Sequence, residues 1–347
     1  MKHPIEPFRT AGIAILTTCT TGLLTSSAVA QATVNAQRVQ TLTAEQRAIL
    51  EYLSLEMVDD GTGNLVPTVQ LNGANFRIVN GLGATQSSNG TGNLIVGYNE
   101  LGNPNGDDRT GSHNICVGEA NSFTRFGGMV GAMGNTISGD FAAVVGGSSN
   151  IASGNLSSVS GGSVNTASGG HASVSGGYYN QATGSYALVS GGINNQAQLT
   201  AASVSGGKDN IAAEYCSSVS GGFGNQAMGA YAAVTGDRYN IAVGENSSVS
   251  GGRDNTATGT HASVSGGTLN IASGERASVS GGAENEASEW HASVSGGWMN
   301  RASDVLSSVS GGKHNLAGGF YSSASGGDGR GVLGTSNWAA GTLYETD

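Results

Sequence analysis

The chain has 347 residues, of which 59 are glycine and only 11% are charged, whereas an ordinary globular domain has about 7% glycine and about 25% charged residues. Its 14 Lys and Arg against 24 Asp and Glu leave a net charge of −10, which offers no basic footprint for a phosphate backbone and argues against nucleic acid as a partner. Composition this biased points to internal repetition.

Lys2 and Arg9 precede an apolar, threonine-rich run over residues 11–24, and Ala28-Val29-Ala30 before Gln31 has the small-x-small form of a signal-peptidase site. Residues 1–30 are therefore expected to be a signal peptide, and the mature protein to be secreted, extracellular or held on the outer surface of a bacterium. Threonines interrupt the run and no second apolar stretch comes after it, so no transmembrane segment is expected in the mature chain. Cys19 follows Leu16-Thr17-Thr18, with threonine where a lipidation signal needs a small residue, so it is not expected to be lipidated.

Residues 31–92 read as a cap. Thr43-Ala44-Glu45-Gln46 has the form of a capping box opening a helix to about Val58, with Ile49, Leu50, Leu53 and Met57 on one stripe. Such a helix either covers the first coil of the downstream array or seeds an assembly of chains. Gly61-Thr62-Gly63 then turns into expected strands at residues 69–71 and 76–79. Residues 93–143 read as irregular turns, 144–330 as a regular array, and 331–347 as a C-terminal cap in which Trp338 and Tyr344 plug the last turn.

From Val144 to Val309 a valine recurs every 15 residues; an asparagine follows each by six, from Asn150 to Asn315, and an alanine by eight, from Ala152 to Ala317. A glycine pair follows each valine except where Gly236-Asp237 replaces it, and Ala324 takes the valine place in a last copy. A short fixed period is the mark of a solenoid, whose turns stack because none buries its apolar side alone. Apolar marks spaced eight and seven within 15 residues fit two short strands and two bends. The fold expected is all-β: a parallel β-solenoid flattened into a roll, with a short N-terminal helix. Cys116 and Cys216 lie 100 residues apart, about 30 Å along such an axis, too far for a disulfide to bridge.

Period-two alternation sorts the first strand of a turn into inward Ser157, Val159 and Gly161 and outward Ser158 and Ser160. The second has inward Asn165, Ala167 and Gly169 and outward Thr166 and Ser168. The structural core is thus Val159, Val174, Val189, Val204 and Val219, with Asn165, Asn180, Asn195, Ala167 and Ala182. Each asparagine either bonds its copy one turn away in an amide ladder or serves a left-handed bend after the glycine pair. The outward serines form near-uniform columns, Ser158, Ser173, Ser203 and Ser218 before the valine and Ser160, Ser175, Ser205 and Ser220 after it. The second strand's outward places vary freely, as in Thr166, Gln181 and Ile211. A constraint therefore acts on the serine face alone, and an ordered contact is its natural cause. So thin a core also calls for association into a homo-oligomer.

His171, His261 and His291 share a column with Tyr186, Tyr231 and Tyr321. His261 and His291 fall two turns apart, roughly 10 Å, with Arg276 between them, whereas metal ligands converge to about 2 Å from one point. No metal site is expected. Calcium-binding rolls carry an aspartate in every repeat, but Asp107-Asp108 is an isolated pair. No strand-to-helix glycine loop or Ser/His/Asp constellation assembles either, so no catalytic residue or cofactor is expected and the chain does not read as an enzyme. Tyr186, Tyr231, His261 and His291 on one bend, and Tyr178, Phe223, Tyr239 and Trp298 near the other, either form a contact surface for carbohydrate or protein or pack along the corners. A different use of the serine columns is ice binding, since Ser158, Ser160 and their copies form a hydroxyl grid of about 4.8 Å by roughly 7 Å.

The repeat Ser-Val-Ser-Gly-Gly-x-x-Asn-x-Ala-Ser-Gly, as in residues 158–169, resembles the head repeat of YadA-like trimeric autotransporter adhesins. The resemblance covers about residues 93–330, including looser turns at Asn93-Leu94-Ile95-Val96-Gly97 and Asn114-Ile115-Cys116-Val117-Gly118. It implies a left-handed β-roll, three chains side by side, and binding to host or environmental matrix. The turn here is one residue longer than that family's, and glycine stands where the family commonly places an isoleucine after the valine. The 16 residues after Gly331 hold no pattern of a coiled-coil stalk or β-barrel anchor.

Overall fold

The structure is a computed structural model describing residues 42–340 and 343–345; the expected signal peptide and Cys19 lie outside the described residues. The chain divides into a unit ending at Arg77 and one beginning at Ile78. No described helix is long and apolar enough to cross a membrane.

In the first unit Thr43 caps helix α1 (Ala44–Leu50): Gln46 N–H donates to Thr43 Oγ1 at 3.2 Å, and Thr43 N–H to Gln46 Oε1 at 2.9 Å. The helix stops at Leu50, not near Val58. Leu53–Asp59 is instead a strand, β1, paired antiparallel with β2 (Leu65–Leu71). Leu53 and Met57 suit a helical stripe and a strand's alternation equally; the matching alternation of Leu65, Pro67, Val69 and Leu71 across a tight turn decides between them. Asp59 and Asp60 hold that turn, accepting the N–H groups of Gly61 and Thr62, each at 2.8 Å. The Thr62 hydroxyl donates to Asp60 at 2.6 Å, and with the backbone bonds it keeps the Asp60 carboxyl below its ordinary pKa. The strand expected at 69–71 is the end of β2, whereas residues 76–79 form none.

The second unit is the parallel β-solenoid that the repeat implies. One sheet stacks the Ser-Val strands, Ser158–Val159 on Ser173–Val174 and so on to Ser323–Ala324, valine beside valine. A second sheet, of 15 strands, stacks those of the Thr166–Ala167 type. A third ladder was not anticipated: single-residue bridges join Ser148, Ser163, Tyr178 and their copies as far as Asp328. It rests on backbone bonds alone, such as Ser163 N–H to Gly177 O at 2.9 Å, so it imposes no residue type that a sequence would display.

The valine and alanine columns form one continuous core, and Asn165, Asn180 and Asn195 are fully buried beside it. Ser157 is buried, Ser158 and Thr166 are half-buried, and Ser160 and Ser168 are exposed, as alternation predicts. Gly161 departs from the expectation: a Cβ there would meet nothing within 4 Å, so the residue faces out of the coil. Gly162 makes the turn with φ +81°, and a side chain there would collide with the Gly177 backbone. Asp237 occupies the same place as Gly162 with φ 57°. The bridge beside it, Arg238 N–H to Gly252 O, lengthens to 3.2 Å from the 2.9 Å of Lys208 N–H to Gly222 O. The Asp237 carboxylate accepts the Gly252 N–H at 2.8 Å, which offsets part of that loss.

The irregular turns before Val144 also obey a rule. Cys116 pairs with Val130 and Val130 with Val144, and the Asn135 N–H bond to Asn121 Oδ1 spans 14 residues rather than 15. Cys116 holds the valine place, and Phe123 and Ile137 the alanine place, all buried. At the far end Trp338 is no plug. It continues the outward serine column, 37% exposed, donating from Nε1 to Ser325 Oγ at 3.3 Å, while Ala339 is buried in the valine place. Leu343–Glu345 folds back antiparallel on Trp338–Ala340 and covers that sheet edge, which would otherwise recruit other chains.

Candidate binding surface

The asparagine column holds the solenoid's shape from inside. Asn165 Nδ2 donates to Gly161 O at 3.1 Å and Gly177 O at 2.9 Å, and its Oδ1 accepts the backbone N–H of Asn180 at 2.9 Å. Each side chain thus bonds its copy one turn away through that copy's backbone N–H, and at two turns the amides also meet directly, Asn255 Nδ2 donating to Asn240 Oδ1 and Asn285 Nδ2 to Asn270 Oδ1, each at 3.2 Å. The left-handed residue at that bend is the one before each asparagine, as in Val164 with φ 57° and Tyr179 with φ 59°.

The other bend holds a second left-handed position, with φ 59° at His171, 58° at Tyr186, 57° at Tyr231, 58° at His261 and 54° at His291. That conformation costs an L-residue about 1–2 kcal/mol, and here a bond to the preceding turn holds it. Tyr186 N–H donates to Gly170 O, Tyr231 N–H to Tyr215 O and His261 N–H to Glu245 O, each at 2.8 Å, and His291 N–H to Glu275 O at 3.0 Å. The side chains point outward, Tyr186 being 62% exposed and Tyr231 50%. Packing along the corner occurs as well: Tyr186 stacks on His171 with centroids 4.7 Å apart, Tyr231 meets Tyr215 at 5.3 Å, and His291 meets Trp290 at 4.1 Å. Contact surface and corner packing are therefore compatible. His261 is exposed, and Arg276, in the turn between it and His291, lies 3.9 Å from Glu275. Among the described residues no three His, Cys, Asp or Glu side chains converge as a metal site.

On the outer side of the valine sheet, Ser158, Ser173, Ser203 and Ser218 are half-buried, and Ser160, Ser175, Ser205 and Ser220 are exposed. Ser158 Oγ donates to Ser173 Oγ at 3.2 Å, so some inner-column hydroxyls bond along the axis. The glycine corner carries Tyr178, Phe223 and Trp298 in the bridge ladder and Tyr239 one residue further, 5.1 Å from Phe223. Basic residues share this corner, which sequence reading did not single out. Lys208 Nζ lies 5.6 Å from the Phe223 ring centre and Lys313 Nζ 4.6 Å from that of Trp298, and a shallow cleft of about 500 Å³ runs past Phe223, Arg238 and Arg253.

Asp107 and Asp108 brace a loop. Asp107 accepts the N–H groups of Asn103, at 3.1 Å, and Gly102, at 3.0 Å, and these bonds keep its carboxyl below the ordinary range. Asp108 accepts the Thr110 hydroxyl at 2.8 Å. Cys116 and Cys216 are both free, and burial raises the pKa of the Cys116 thiol. Neither a family model nor a curated protein matches the chain, so the reading of this surface rests on its own geometry.

Proposed function

We propose that this chain is a secreted or cell-surface bacterial protein of structural, adhesin-like type, whose YadA-like head presents a repetitive β-solenoid surface for binding. One observation carries the reading: tyrosine and histidine side chains recur, one to three turns apart, along a corner whose shape is secured by the main chain. Aromatic groups on a rigid support bind with little loss of conformational entropy. The ligand class is an extracellular matrix protein, a carbohydrate or another surface ligand, and the chain acts as a homo-oligomer, a trimer on the YadA-like pattern. The test is binding of the purified chain to immobilised matrix proteins and polysaccharides, with Tyr186→Ala/Tyr231→Ala as the variant. Binding weakened tenfold or more with unchanged thermal unfolding is the expected result; no binding to any of them, or equal binding by the variant, refutes it.

The second reading is ice binding, favoured by the two parallel hydroxyl columns on the outside of one sheet. It requires thermal hysteresis that Ser205→Tyr/Ser220→Tyr abolishes. Hysteresis absent, or unchanged in the variant, eliminates it.

A further inference from the structure

The cleft at the glycine corner holds a guanidinium that the fold leaves unpaired. In the bridge ladder Lys208, Phe223, Arg238 and Arg253 occupy four successive rungs, about 4.8 Å apart. Like charges on adjacent strands repel, and two of these cations have a carboxylate beside them: Arg253 Nε lies 3.2 Å from Asp254 Oδ2, and Lys208 Nζ 4.0 Å from Asp209 Oδ2. Arg238 is exposed and has neither an ion pair nor a side-chain hydrogen bond among the described residues. Its neighbour Asp237 turns Oδ2 to the Gly252 N–H, at 2.8 Å, and Oδ1 has no partner there. Asp237 lines the cleft and is also the break in the glycine-pair rule. With φ 57° it adopts the left-handed conformation that every other turn of the array gives to glycine at this place. That conformation costs an L-residue, and such strain gathers where a chain holds a ligand.

We propose that this cleft is a second binding site, separate from the tyrosine corner, for a glycan that carries isolated carboxylate groups, as uronic or sialic acid, among uncharged sugars. Three features select that chemistry. The planar fork of Arg238 matches a carboxylate through two parallel N–H donors. Phe223 lines the cleft with an aromatic ring, whose negative face attracts the C–H groups of a sugar ring, while Asp237 Oδ1 and the Thr268 hydroxyl, in the same lining, suit sugar hydroxyls. The third feature is the charge pattern: Lys208, Arg238 and Arg253 are matched in number by Asp209, Asp237 and Asp254, on a chain of net charge −10. A dense polyanion, such as a sulfated glycan or a nucleic acid, meets as much repulsion as attraction on such a surface, whereas a single carboxylate seated on Arg238 does not. The site does not depend on the tyrosine corner, so its failure leaves the reading above standing.

Binding of the full chain to an array of oligosaccharides tests the assignment, each bearing one uronate or sialate among neutral sugars and each set beside its carboxyl-reduced alcohol. The wild type is expected to bind at least one acidic form tenfold or more tightly than its reduced counterpart. Arg238→Ser and Phe223→Ser, which place in this column the residue that Ser148 and Ser163 already supply, should each weaken that binding at least tenfold with unchanged melting. Arg301→Gln, which removes a cation from the second sheet, should leave it unchanged. Should the serine variants melt early, Arg238→Lys decides, since it keeps the charge and removes the fork: binding as tight as the wild type's overturns the proposal. So does an array that stays empty, binding indifferent to carboxyl reduction, or binding that Arg238→Ser leaves intact or Arg301→Gln weakens equally. A heparin fragment or a polyglutamate peptide bound more tightly than every glycan of the array overturns it as well.

Discussion

The buried asparagine column is the part of the repeat where one substitution removes most. Asn210 has no solvent exposure; its Oδ1 accepts the Asn225 N–H at 2.9 Å, and its Nδ2 donates to Gly206 O at 2.9 Å and Gly222 O at 3.0 Å. In Asn210→Ala, Gly222 O keeps the N–H of Lys208 at 2.9 Å, whereas Gly206 O and the Asn225 N–H lose their partners. At about 1–3 kcal/mol for each orphaned group, the substitution costs about 2–6 kcal/mol. Asn210→Asp keeps the acceptor for Asn225 but sets an anionic oxygen against two carbonyl oxygens, so it should cost more than alanine. Denaturant unfolding followed by circular dichroism measures both, with Ser205→Ala as the exposed control. The reasoning fails if Asn210→Ala is no more destabilising than Ser205→Ala, or if the aspartate variant is the more stable of the pair.

Ala227 is fully buried between Ala212 and Ala242, so Ala227→Leu should overpack the coil and cost about 1–3 kcal/mol or more. Gln226→Leu, one residue away and outward between Ile211 and Ile241, should be nearly silent; thermal unfolding of the two side by side tests the strand phase, and the opposite order would invert it. Val164 is a β-branched residue at φ 57° in a column where Gly224 and Gly329 also stand, so Val164→Gly should stabilise by about 1 kcal/mol through relief of backbone strain. Val164→Ala keeps that strain and should shift the melting temperature less; glycine the less stable of the two would count against the left-handed assignment.

The solenoid was legible because 15-residue spacing repeats without a slip, so each column could be read many times over, and a fixed valine and alanine set the strand phase. The hairpin was not legible because Leu53 and Met57 satisfy two periodicities at once, and only their partners Leu71 and Pro67 distinguish them. The early turns looked irregular because Cys116, Phe123 and Ile137 stand where valine and alanine later recur. At the candidate surface, the column pattern put Tyr186 and Tyr231 on one bend but left contact surface and corner packing open, and both side chains are exposed. Their left-handed backbone was not legible, since glycine and asparagine usually mark that conformation and here tyrosine and histidine adopt it.

Successive turns place Leu156, His171, Tyr186, Ala201, Cys216, Tyr231 and Asn246 at one corner, with φ between 53° and 59°. Main-chain bonds hold that corner, so the spine and its inscription are inherited separately. A mutation in the column rewrites one character of the display and leaves the rungs beneath it intact. Duplication of a whole turn lengthens the text by one step of about 4.8 Å without changing the register of anything already written.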